Sequence, residues 1–118
     1  MTGLLRRLAP PLALMVLIFA LSAQPSLSTG LGVWDVVLRK AAHMAEFGLL
    51  WWLWWRALGV RRAALAAAIT LAYAATDELH QTLVPGRHGS VTDWAIDAAG
   101  VGLAGALAWR YSQPRSVA

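Results

Sequence analysis

The chain contains no cysteine. Disulfides, thiolate metal sites and a thiol nucleophile are therefore excluded together. Charge is scarce as well: only 14% of residues are Asp, Glu, Lys or Arg, against about 25% in a soluble domain. Acidic residues are scarcest, six in all, beside ten basic ones. What fills the chain instead is apolar: 58% hydrophobic residues and a mean hydropathy of +0.55 over 118 residues. Such a chain lacks the charge to cover a water-facing surface and reads as one all-α domain built into a membrane. The sequence pI near 10.7 would suit nucleic acid, but the placement of the charges assigns them to topology, and no nucleic-acid partner is expected.

Four hydrophobic spans are predicted, at about residues 8–23, 34–58, 63–83 and 91–111. Each is near the ~20 residues that cross a ~30 Å hydrocarbon core. Arg6 and Arg7 precede the first, with Pro10 and Pro11 expected in its first turn, where proline is tolerated. A cleavable signal peptide competes with a retained helix here. Gln24-Pro25-Ser26-Leu27-Ser28-Thr29-Gly30-Leu31-Gly32 reads as a loop. Gly59, Arg61 and Arg62 make a short turn. Pro85-Gly86 stops the third span, and Ser90-x-x-Asp93 has the spacing of a helix-capping box.

Basic residues orient the bundle. With four spans, Arg6, Arg7, Arg56, Arg61, Arg62, Arg110 and Arg115 share one side, and only Arg39, Lys40 and Arg87 the other. Both termini are thus expected in the cytoplasm. Trp51, Trp52, Trp54, Trp55, Trp109 and Tyr111 are expected to form the inner interfacial belt, with Trp34 and Trp94 at the outer one. All six acids, Asp35, Glu46, Asp77, Glu78, Asp93 and Asp97, then fall in the outer half, and so do His43, His80 and His88.

Helical periodicity gathers these groups further. At 100° per residue, Lys40, His43 and Glu46 share a sector of about 120°. Tyr73, Asp77, His80 and Gln81 share another face, with Glu78 at its edge, and Asp93, Asp97, Gly100 and Ala104 a third. Asp77 follows a run without charge from Ala63 to Ala75 and lies roughly 21 Å along its helix. A carboxylate near mid-membrane costs roughly 2.5–3.5 kcal/mol, so the stripes are expected to face one another. Alanines along helix three and Gly100, Gly102 and Gly105 on helix four permit close approach. The result is an outward-facing polar pocket of Lys40, His43, Glu46, Asp77, Glu78, His80, Gln81, Arg87, Asp93 and Asp97, with His88 on its rim.

The pattern Lys40-x-x-His43-x-x-Glu46-Phe47, then Asp77-Glu78-x-His80-Gln81, then Val84-Pro85-Gly86-Arg87, then Asp93 and Gly100, resembles the VanZ-like family of small bacterial membrane proteins. Ser22-Ala23-Gln24-Pro25 is similar too, so the resemblance runs from Ser22 to Gly105. It implies a four-helix domain in the bacterial cytoplasmic membrane. The family is named for a protein that raises resistance to the glycopeptide teicoplanin, and a link to glycopeptide susceptibility is what the resemblance implies here. Asp97 stands where that pattern more often carries Asn.

Recognition of a phosphorylated or glycosylated envelope lipid is the preferred function. Lys40 and Arg87 supply cationic donors, the latter with the fork geometry that suits phosphate. Membrane lipids are the expected partners, and self-assembly into a homo-oligomer is left open. The alternative is a membrane-embedded hydrolase or transferase acting on lipid-linked phosphate. In it His80 or His43 would work as general base beside Asp77 or Glu78, with water attacking because no side-chain nucleophile stands out. A second alternative is a structural module held by an internal salt-bridge network. No metal or other cofactor is expected. His43, Glu46, Asp77, His80 and Asp93 have suitable ligand chemistry, but Lys40 and Arg87 beside them oppose a cation. A transporter is disfavoured because no inverted repeat is visible.

Overall fold

The structure, a computed structural model, describes residues 2–22, 32–84 and 91–112. The loop carrying Arg87 and His88, the cap residue Ser90, the 23–31 linker and the tail with Arg115 lie outside the described residues. Those described form four helices and no strand: α1 Thr2–Ser22, α2 Val33–Leu58, α3 Ala63–Thr82 and α4 Val91–Ser112. A 3₁₀ turn, Val60–Arg62, joins α2 to α3.

Helix α1 differs most from expectation. It begins at Thr2 rather than near residue 8, so Pro10 and Pro11 sit in its interior. A proline there removes a backbone donor four residues downstream of a carbonyl, and the carbonyls of Arg6 and Arg7 lose their i+4 partners. The ring is tolerated because helix-forming leucines continue on both sides, and Pro11 is itself buried against the bundle.

Helix α2 is central. It packs on α1, α3 and α4, whereas α1 and α4 do not touch among the described residues. Contacts on α2 and α4 ascend together, Lys40 with Asp93, His43 with Asp97, Gly48 with Ala104, so these two helices run parallel. Helix α3 runs against them, with Phe47 beside Tyr73 and Trp51 reaching Ala63. The shared apolar core is Ile18, Phe47, Leu50, Trp51, Ala66, Ala74 and Val101.

Two features fix these packings. A Cβ on Gly100 would lie 2.3 Å from the Met44 carbonyl oxygen, and one on Gly48 would lie 2.9 Å from that of Gly100. The α2 and α4 backbones are therefore in contact there. By contrast a Cβ on Gly102 or Gly105 meets nothing within 4 Å, so of the three glycines expected to pack helix four only Gly100 does so inside the bundle. The second feature is the tryptophan group. Trp51 is buried and donates to the Ala63 carbonyl at 3.1 Å, and Trp55 donates to that of Val60 at 3.0 Å. Their rings stack with centroids 5.3 Å apart. These two indoles clamp the α2–α3 turn, each placing its polar N–H on a backbone carbonyl of that turn while its ring packs on apolar neighbours. Trp52, Trp109 and Tyr111 remain exposed. Trp94, expected at the outer interface, donates to the Leu71 carbonyl at 3.0 Å and lies half-buried against α3.

Beside this apolar core the bundle buries polar groups and exposes large apolar ones. Thr70, Asp77, Glu78, Gln81 and Asp97 are buried, while Leu5, Val16, Leu38, Leu65, Leu79 and Leu103 are exposed. Among the described residues one stretch, Gly3–Leu21, is long and apolar enough to cross a membrane by length and composition. Helices α2 to α4 do not reach that measure, because each carries charged residues of the polar stripes.

Candidate functional site

The site is built where α2, α3 and α4 meet. On α2, residues three apart face the same way, and on α4 residues four apart do so. Lys40 and His43 thus present two successive contacts to Asp93 and Asp97. The Lys40 Nζ donates to Asp93 Oδ1 at 2.8 Å at the half-exposed mouth. One turn deeper, His43 Nδ1 lies 3.2 Å from Asp97 Oδ1. Aspartate is short, so this second contact needs closely spaced backbones, which the Gly48–Gly100 crossing supplies just below it.

Helix α3 closes the third side. Asp77 is fully buried and Glu78 is 5% exposed. Gln81, one turn on, donates to Asp77 Oδ2 at 3.3 Å. One donor atom each of His43, Glu78 and Asp97 lie within 4.8 Å of one another, so all three helices contribute to one point. Phe47, with no exposed surface, lies beneath, its ring 6.2 Å from His43 and 6.3 Å from Tyr73. The Tyr73 hydroxyl crosses to donate to the Met15 carbonyl of α1. Aromatic carbon therefore floors the polar centre.

Of the residues predicted for the pocket, Lys40, His43, Asp77, Glu78, Gln81, Asp93 and Asp97 line this junction. Glu46 is half-buried on α2, one turn below His43. His80 departs from expectation. Its ring stacks on Phe19 of α1, centroids 4.0 Å apart and 14° from coplanar. Position 80 lies about 60° round the helix from Asp77, at the edge of the polar face that meets α1. The histidine brought to a carboxylate is therefore His43, not His80. A base oriented by a carboxylate suits proton transfer, yet among the described residues no hydroxyl is placed beside it as a nucleophile: Thr70 donates to its own helix at the Ala66 carbonyl, 2.8 Å away. Glycine 48 and Phe19 were not signalled by chemistry-bearing motifs; Gly48 was legible only as the small-residue partner of Gly100.

A cavity lies at the other end of α2. Gly3, Arg6, Arg7, Pro10, Leu53, Arg56 and Gly59 surround about 520 Å³, and the Arg56 guanidinium sits 4.9 Å above the Trp52 ring. Three arginines around one space make it strongly cationic, while the junction at the opposite end is rich in acids.

The fold and its centre define a small helical bundle with carboxylates and an imidazole buried inside apolar walls. The chain belongs to the VanZ/LLP1 family, whose family model matches residues 7–112, nearly its whole length. No curated protein and no solved structure matches it.

Proposed function

We propose that the protein is a multi-pass membrane protein of four spans, both termini cytoplasmic, whose polar junction binds a phosphorylated or glycosylated envelope lipid from the outer side. The observation that carries this reading is the burial of Asp77, Glu78, Gln81 and Asp97 in a bundle that leaves large leucines and valines exposed. Water-soluble bundles hide apolar side chains and expose charges, and an ionisable group inside a membrane bundle marks a functional site by default. Lys40, partly exposed and giving one donor to Asp93, keeps two further donors for an anionic head group, and Gln81 and the carboxylates suit sugar hydroxyls. The arginine-lined space of Arg6, Arg7 and Arg56 suits the anionic inner leaflet. Occupation of an outer-leaflet lipid is also where an effect on glycopeptide susceptibility would arise.

Native mass spectrometry of the purified chain tests this. Wild type is expected to carry a phospholipid or polyprenyl phosphate that Lys40→Ala and Asp77→Asn lose while keeping their helical content. A bare wild type, with both variants merely less stable, would overturn the reading. It would favour a structural module, for which one specific observation speaks: the Lys40–Asp93 and His43–Asp97 contacts both tie α2 to α4.

A further inference from the structure

We propose that His43, Glu78 and Asp97 bind one divalent first-row metal ion, of the manganese or zinc type. The inference rests on reading the junction as a binding site, but not on the identity of any lipid. The first observation is convergence. Three potential ligands come from three helices, and their donor atoms lie within 4.8 Å of one another. Atoms sharing one ion at bonds of about 2.0–2.2 Å lie roughly 3–4 Å apart, so small side-chain rotations close the set.

The second observation is independent of that spacing. Asp97 has no exposed surface, and while its Oδ1 faces His43, its Oδ2 has no hydrogen-bond partner among the described residues. Buried carboxylate oxygens are costly unless a donor or a cation meets them. Lys40, one cation that would compete for these carboxylates, is engaged by Asp93 at 2.8 Å. The donors are one nitrogen and carboxylate oxygens with no thiolate anywhere in the chain, a set that suits manganese or zinc over soft ions.

Three protein ligands leave coordination positions open. A phosphate oxygen or a sugar hydroxyl would bind there, which explains how a junction rich in acids accepts an anionic head group. The aromatic floor of Phe47 keeps water from the inner side of the ion, and Gln81 with Asp77 holds the adjoining turn of α3 in place.

The test uses the tag-free full chain in detergent micelles, stripped with chelator and titrated with Mn²⁺. Binding is read from loss of the electron paramagnetic resonance signal of the aqueous ion. One saturable site per chain is expected, weakened at least tenfold in Asp97→Asn and in Glu78→Gln, the range seen when metal-site groups are altered. Pulsed spectra of the bound wild type should show one coordinated imidazole nitrogen, lost in His43→Gln. No saturable uptake by wild type up to millimolar Mn²⁺, or unchanged affinity in Asp97→Asn, overturns the site. If the variants lose their helical circular dichroism, the wild-type spectrum decides: a directly coupled nitrogen supports the site, and its absence overturns it. Mass spectra of the same samples separate the two readings. Lipid retained without Mn²⁺ uptake removes the metal site alone, whereas Mn²⁺ uptake with no lipid supports the metal site and removes the lipid.

Discussion

His43 and Lys40 each face an aspartate on α4, yet the two contacts differ in what they contribute. Lys40–Asp93 is open to solvent, the side chains 43% and 29% exposed, and such a pair is worth about 0–1 kcal/mol. His43–Asp97 is enclosed, with Asp97 wholly buried. Removing one member of a buried pair strands the other, at about 3–5 kcal/mol. His43→Ala should therefore lower the unfolding free energy in mild detergent by about 3 kcal/mol or more, whereas Lys40→Ala changes it by less than about 1 kcal/mol. Equal losses would mean that Asp97 finds another partner. Glycine gives a second contrast at this scale. Gly100→Ala drives a methyl into the Met44 carbonyl, an overpacking worth about 1–3 kcal/mol, while Gly102→Ala adds a methyl into open space and gains slightly in helix propensity. Titration of the helical signal with a denaturing detergent resolves the pair.

Among the elements, the α2–α3 connection depends most on individual groups. Gly59 adopts φ 107° and ψ 153°, a region nearly closed to residues with a Cβ and costing about 1–3 kcal/mol. Its N–H donates to the Trp55 carbonyl at 2.9 Å, and its own carbonyl receives the Arg62 N–H at 3.0 Å. Trp51 and Trp55 then pin the turn from the α2 side. Trp51→Phe keeps most of the ring packing but removes the part-buried indole bond to the Ala63 carbonyl, so a loss of about 0.5–1.5 kcal/mol is expected. Trp55→Phe, whose bond is exposed, should cost less. Near-ultraviolet circular dichroism reports both, since the stacked indoles give a coupled signal that either change abolishes. The turn itself was legible from Gly59 and the arginines after it. The clamp was not: four tryptophans in five positions fit an interfacial belt equally well, and which indole turns inward depends on the rotation of α2 against α3. The same rotation took His80 out of the expected site. Its place on the polar face of α3 was readable at 100° per residue, but not that α1 presents Phe19 there. What was legible is the coincidence of stripes on α2, α3 and α4, because Lys40, His43, Asp77, Asp93 and Asp97 have no other way to avoid apolar surroundings.

For the molecule as a whole, the weight of argument falls on where its apolar surface is. α1 alone has the length and composition of a span, yet the outer faces of all four helices carry exposed large apolar residues, Val16 on α1, Leu38 on α2, Leu65 on α3 and Leu103 on α4. Charges also separate by end: Arg6, Arg7 and Arg56 gather about one cavity, and Asp77, Glu78, Asp93 and Asp97 about the opposite junction. In the proposed membrane setting, the bias of basic residues toward the cytoplasm would turn the arginine end inward and the carboxylate end outward. The absence of native cysteine makes this directly testable, because any introduced thiol is the sole reporter. Thr92→Cys, exposed at the start of α4, should react with a membrane-impermeant maleimide in intact cells. Arg61→Cys, exposed in the 3₁₀ turn at the other end, should react only after permeabilisation. Labelling in the reverse order would invert the bundle and turn the carboxylate junction toward the cytoplasm. Equal labelling of both thiols in a protein recovered without detergent would remove the membrane altogether, and with it the reason for reading the buried acids as a lipid site.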